Sequence, residues 1–298
     1  MSLYIIMPEG VEVLIQTNIL RNVYLNKNII NIMKTKKFQR NGLKNTQIAT
    51  LPLRIKDIWS RGKIIVFELS DTYGNKIFMT SHLGMSGQWV SEKGDHTNLW
   101  FDLGYEHPDH PGYYYKTRTL YYNDQRHFGT IEFHTDLTGI WKRHGPCMMA
   151  TSLVRYGHLD RKDLKPDQKL VSFDTYKTEI KNKRFKADKR IAEFMMDQTR
   201  VSGVGNYLRA EILYRSCISP LRTLKSLSDD EIRTLYNNTL LIMNESYTQK
   251  GRYYQGSKCG DGFYLRVYKQ GQDPNGHNVL TFHDKEKRMC YYVPEIQK

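Results

Sequence analysis

Cysteine is scarce in this chain and carries no metal or redox signature. Its four residues, Cys147, Cys217, Cys259 and Cys290, stand far apart with no C-x-x-C pair, which excludes a zinc ribbon and a thioredoxin-type motif. They read as reduced thiols of an intracellular protein. Long apolar runs are missing as well. No stretch approaches the roughly 20 residues that span a bilayer, and the opening MSLYII has neither the basic flank nor the length of a secretory h-region. Neither export nor membrane anchoring is expected. The ten histidines are mostly isolated, so no His/Cys/Asp cluster at ligand spacing supports a metal-activated water. Acidic residues are in deficit: 31 Asp plus Glu face 45 Lys plus Arg, for a formal charge of +14 and a pI of about 9.4. That balance points to a polyanionic partner, nucleic acid first.

What is present suffices for two domains. The chain has 298 residues and 39% hydrophobic content, enough for a core in each half. Residues 8–22 carry Val11, Leu14 and Ile15 at helical spacing and predict one helix, with Glu9 and Glu12 on neighbouring turns. From Ile29 to about His134 the pattern changes to short runs rich in Ile, Val, Phe and Tyr. Lys63–Leu69, Lys76–Thr80, Leu99–Leu103 and Thr130–His134 read as strands of a sandwich or barrel. The polar KRHGPC segment, Lys142–Cys147, reads as a linker. Helices follow at Ile191–Gln198 and Asn206–Arg215, joined through Ser202-Gly203-Val204-Gly205, and a longer one starts at Ser228, where Glu231 completes a capping box. The last 35 or so residues return to strand spacing, with a Pro274-Asn275-Gly276 turn predicting a small hairpin.

The most informative stretch is Met7-Pro8-Glu9-Gly10-Val11-Glu12. A proline that becomes the N-terminal residue is a secondary amine. Because an α-amino group titrates near pH 8, a useful fraction of it is neutral and nucleophilic at physiological pH. An acylated prolyl nitrogen is an amide without a basic lone pair, so a chain keeping residues 1–7 is expected to be chemically dead. By its residues alone, Pro-Glu-Gly reads first as an ordinary helix start.

Several motifs occur in one order: PEGVE from Pro8, RGK at Arg61–Lys63, HLGMSG at His82–Gly87, DQRHFG at Asp124–Gly129 and MDQTRVSGVGNYLRAEILYR at Met196–Arg215. Together they resemble the formamidopyrimidine-DNA glycosylase/endonuclease VIII (Fpg/Nei) family over nearly the whole chain from Pro8. The resemblance implies an α+β protein: an N-terminal helix and β-sandwich over 8–142, a linker over 143–150, a helix-two-turn-helix domain over 151–264 and a two-stranded finger over 265–298. It implies excision of oxidised bases from damaged DNA followed by strand nicking. Pro8 would attack the deoxyribose C1′ and form a Schiff base, an electron sink that permits β- and δ-elimination. Glu9 would protonate the sugar ring oxygen, and Lys63 would contact phosphate beside the lesion. Glu12 matches a family carboxylate whose role stays open.

A stacked base must be flipped out before its sugar can be attacked, and Met85, Arg126 and Phe128 match the family's void-filling residues. Apolar wedges unstack base steps, and arginine can bond the orphaned opposite base. Asn206 and the helix N-terminus behind it would bind a phosphate, Glu211 would brace the glycine turn, and Arg288 matches the finger arginine that clamps phosphates. At the four positions of the family's zinc ligands stand Asn275, Asn278, Val293 and Ile296, which do not suit zinc. The expectation is therefore no metal and no cofactor, with apolar contacts of Phe282, Tyr292 and Val293 instead. This zinc-less finger, the GNYLRAEILYR segment and a short stretch from Lys250 to Tyr264 lean toward the Nei-like branch that prefers oxidised pyrimidines and ring-fragmented purines. A monomer acting on damaged DNA is expected. The rival is a damaged-DNA-binding protein without catalysis, if Pro8 is never freed.

Overall fold

The computed structural model of the protein describes residues 8–182, 184–251 and 263–298. The leader Met1–Met7 and most of the Lys250–Tyr264 stretch lie outside them. The chain forms two compact units. The first holds Pro8 and Glu12–Gly139, the second Glu9–Val11 and Ile140–Lys298.

The first unit begins with helix α1 (Gly10–Tyr24) and continues with β1 (Asn28–Lys34), α2 (Lys36–Asn41), β2 (Leu43–Lys44), β3 (Leu53–Arg61), β4 (Ile64–Ser70), β5 (Lys76–His82), β6 (Gln88–Val90), β7 (Thr97–His107), β8 (His110–Asn123) and β9 (Thr130–His134). The strands form one sheet in the order β2-β9-β5-β4-β3-β1-β7-β8-β6. It folds over so that Trp89 of β6 packs on Phe67 of β4, with ring centroids 5.8 Å apart, and on Phe101 and Tyr122 at 5.2 and 5.1 Å. This is the sandwich expected from the strand-like runs. Strand β4 is buried on both faces, since Ile64, Ile65, Val66 and Phe67 are all inside, as its unbroken apolar run requires. Helix α1 fully buries only Val11 of the three apolar residues whose spacing predicted it. Val13, Gln16, Thr17, Leu20 and Tyr24 are buried, while Leu14 and Ile15 are half-exposed. The polar Gln16 can be interior because its Oε1 accepts the backbone N–H of Trp89 at 3.1 Å.

The second unit takes up the chain at Ile140, within the short α3 (Thr138–Trp141), and holds α4 (Met148–Arg155), α5 (Phe173–Ile180), α6 (Ile191–Met196), α7 (Asn206–Arg215), α8 (Asp229–Thr248) and the hairpin strands β10 (Leu280–His283) and β11 (Met289–Tyr292). The expected linker over 143–150 is not a loose connection. Gly145 N–H donates to Gln198 O at 2.8 Å, Ser202 N–H to Pro146 O at 2.9 Å, and Met148 opens α4. Its backbone groups find partners in the turn before α7, so it packs as part of the helical unit. The capping box is formed: Glu231 N–H donates to Ser228 Oγ at 3.1 Å and Ser228 N–H to Glu231 Oε2 at 2.7 Å. The finger departs from expectation in its turn. Pro274-Asn275-Gly276 does turn the chain, but it precedes the hairpin, and β10 and β11 are joined instead through Asp284–Arg288.

Candidate active site

In the helical unit the chemistry gathers at the N-terminus of α7. Four backbone N–H groups at a helix start lack intrahelical partners and carry partial positive charge. Glu9, itself just before α1, supplies its carboxylate to this other helix. Its Oε1 accepts from Tyr207 N at 2.8 Å and its Oε2 from Leu208 N at 3.2 Å, and the residue is 1% exposed. It is therefore not a first-turn carboxylate of its own helix. Gly205, the N-cap, makes the approach possible, because a Cβ there would lie 2.3 Å from Glu9 Cδ. Gly10 N–H donates to Gly203 O at 2.9 Å, which fastens the start of α1 to the same turn. Within the turn, Gln198 receives Gly203 N–H at 3.0 Å and donates to Val204 O at 2.8 Å.

Asn206 opens α7 and is buried, with Nδ2 donating to Met289 O at 3.0 Å. Its amide is thus tied to the finger strand β11. Glu211 does not brace the glycine turn as expected. It lies on the next turns of α7, fully buried, and accepts from Arg266 N (2.9 Å), Val267 N (3.0 Å) and Tyr268 N (2.9 Å), the segment leading into the finger. Helical spacing puts residue 211 more than one turn from the glycines, where it meets a different neighbour. Burial raises its carboxyl above the ordinary range, against the pull of the three N–H donors. Glu12 is buried. Arg288, at the end of the finger turn, is half-exposed and pairs with Glu286.

The finger residues do not fit a zinc ion. Asn275 and Asn278 are exposed, Val293 is fully buried as a core side chain, and Ile296 is hydrocarbon. Among the described residues, no group of three His, Cys, Asp or Glu could hold a metal. The hairpin is held by aromatic contacts, with Phe282 on Tyr292 at 5.9 Å and Tyr268 on Tyr291 at 5.0 Å. Beside it, Asp273 organises the Pro274–Gly276 turn. It accepts from Asn275 N, His277 N and Tyr214 Oη at 2.9, 2.8 and 2.9 Å.

In the sheet unit, Lys63 occupies the two-residue turn between β3 and β4, where Gly62 has φ +59°. A positive φ at the first turn position alone suits a glycine-led hairpin. Met85 is half-buried, Arg126 exposed, and Phe128 58% exposed with the Arg126 guanidinium 5.6 Å from its ring centre. An aromatic side chain so far out of the core is not a packing residue. Asp124, which spacing did not single out, joins the two loops that bear these groups. Fully buried, its carboxylate accepts from Ser86 Oγ (2.5 Å), Arg126 N (3.2 Å) and Gly129 N (2.7 Å). Its position at the head of DQRHFG was the available signal. In the helical unit the buried Arg209 was missed likewise, because an arginine on a helix reads as surface.

The sequence matches the formamidopyrimidine-DNA glycosylase N-terminal domain over residues 7–131 and the formamidopyrimidine-DNA glycosylase H2TH domain over residues 165–256. The chain belongs to the formamidopyrimidine-DNA glycosylase (Fpg) family. It is similar to the formamidopyrimidine-DNA glycosylase of Mycoplasma pneumoniae, 30% identical over 287 residues that cover 95% of this chain and 90% of the relative. The Thermus thermophilus relative is 27% identical over 226 residues, 74% of this chain and 72% of its own. Among solved structures, MutM (Fpg) from Thermus thermophilus has a TM-score of 0.75 at 24% identity, covering 97% of this chain and 98% of that one. Lactococcus lactis Fpg, solved non-covalently bound to DNA containing an AP site, scores 0.72 at 21% identity over 98% and 100% of the two chains. These two share the fold.

Proposed function

We propose that this protein is a bifunctional DNA glycosylase and AP lyase that excises oxidised bases through the amine of Pro8. The carrying observation is the Glu9 carboxyl seated on the N-terminus of α7 by two backbone N–H groups, with Gly205 leaving room for it, directly after the proline in sequence. An acid–base group so fixed beside a nucleophile in the chain is what ring opening of a sugar requires. In this reading Pro8 nitrogen attacks C1′ as Glu9 protonates the ring oxygen, and the base leaves. The resulting iminium withdraws electrons, so the neighbouring sugar proton is lost and the phosphates depart by β- and δ-elimination. Lys63, Asn206 and Arg288 bind backbone phosphates, and Met85, Arg126 and Phe128 enter the duplex where the damaged nucleotide has left it. The unsuited zinc positions support a place in the zinc-less Nei-like branch, with oxidised pyrimidines and ring-fragmented purines as substrates.

Borohydride trapping on a duplex with one abasic site tests this. A chain beginning at Pro8 is expected to give a covalent adduct mapping to Pro8, and a chain with residues 1–7 retained is expected to give none. Binding without adduct from either would leave a damage-binding protein and overturn the enzyme.

A further inference from the structure

Arg209 is a long cation with almost no access to water. Its side chain and that of Asp284 are 2% and 3% exposed, and Nη1 donates to Asp284 Oδ2 at 2.8 Å. The same guanidinium donates to Ala192 O of α6 at 3.2 Å, to Met289 O of β11 at 3.4 Å, and to Asn206 Oδ1. A planar fork with five donors can serve several fixed acceptors at once, which a lysine cannot. Asp284 uses its other oxygen on the finger turn: Oδ1 accepts from Glu286 N at 3.0 Å and Arg288 N at 2.9 Å, while its own N–H donates to Arg288 O at 2.9 Å. Burial would raise the Asp284 carboxyl, but the Arg209 bond and these N–H donors outweigh it and lower it.

We infer that Arg209 and Asp284 are positioning residues whose buried ion pair fixes the finger turn on α7 and so aims Arg288 and Asn206 at the DNA backbone. The inference rests on the reading above that Arg288 binds phosphate. A hairpin of two four-residue strands is marginal by itself, and among the described residues no group of three metal-ligating side chains stands together to staple this finger. The pair supplies the fixed point. A buried pair need not stabilise more than apolar packing would, but it specifies one geometry, since any other leaves a charge without its partner.

The salt dependence of binding to an abasic-site duplex separates aim from mere stability. Each phosphate contact contributes a slope of about 0.9 in log K against log salt, and the slope, measured on the folded fraction, does not respond to a loss of folded protein. R288A is expected to lower the slope by about 0.9. D284N keeps an acceptor for the turn but faces N–H2 to the guanidinium. It is expected to lower the slope by the same amount with Arg288 still in place, and R288A added to D284N is expected to change it no further. Should D284N not fold, R209M/D284N leaves no charge alone in the interior and is expected to show the same loss. A wild-type slope in the folded variant, alongside a reduced one in R288A, overturns the inference. A wild-type slope in R288A itself removes the phosphate contact and with it the reading beneath.

Discussion

At the scale of single residues, the site depends on which atoms are absent as much as on which are present. Gly205 gives Glu9 its seat, and its φ of −127° is open to any residue, so only the close approach demands glycine there. Gly205→Ala is therefore expected to fold and to displace the Glu9 carboxyl from α7. Misplacement by about 1 Å at a reacting centre can cost on the order of a hundredfold in rate, and single-turnover base release by the folded variant should fall by that order. An unaltered rate would mean that Glu9 does not act from this seat. Asp273 and Tyr214 allow a second test. Burial raises the Asp273 carboxyl, but hydrogen bonds from His277, Tyr214 and Asn275 outweigh it and bring it to about 2. Its contribution to stability is complete above the ordinary 3.8 and is lost as pH falls toward 2. Burial, with the bond to Asp273 and its charge, raises Tyr214 from 10.0 to about 12, so its share is complete below pH 10 and lost as pH rises through 12. Thermal melts across pH should show the acid loss flattened in Asp273→Asn and the alkaline loss flattened in Tyr214→Phe. Variants that track the wild type at both ends would refute the assignment.

At the scale of elements, α7 is the organiser of the helical unit. Its first turn receives Glu9, its second carries Arg209, and Glu211 beyond that receives the segment entering the finger. An amphipathic helix would turn one side to water, yet Asn206 through Leu213 are all buried. That explains why charged residues on it are engaged rather than solvated. Glu211→Gln exchanges one acceptor oxygen for an N–H2 group and strands a buried backbone donor. It should cost about 1–3 kcal/mol, measurable by urea unfolding. Ser228→Ala removes the N-cap of α8 and should cost about 1 kcal/mol, an internal standard that touches no part of the site. A Glu211 variant costing less than the cap would show that the N–H groups find other partners.

At the scale of the whole molecule, the formal charge is +14, and among the described residues no metal-ligating cluster holds either unit together. Incubation with a strong chelator is expected to leave the melting temperature and the trapping yield as they were. A fall in either would place a metal in the protein and overturn the account of the finger. No helix among the described residues is long and apolar enough to cross a membrane.

Local pattern made several features legible. The Ser228 capping box, α7 from Asn206 to Arg215, strand β9 and the Gly62-Lys63 turn depend on neighbours a few residues away, and their chemistry is written in the letters themselves. The motifs likewise carried the family, because their order and spacing survive translation into structure. What tertiary structure decided was the pairing of distant groups. No periodicity could say that Glu9 would leave its own helix for another nearly 200 residues on, that Glu211 would brace residues 266–268, that α1 would bury Gln16 in place of Leu14, or that Arg209 would find Asp284. A buried charge is tolerated only where its partners converge, and that convergence exists only once the chain has folded.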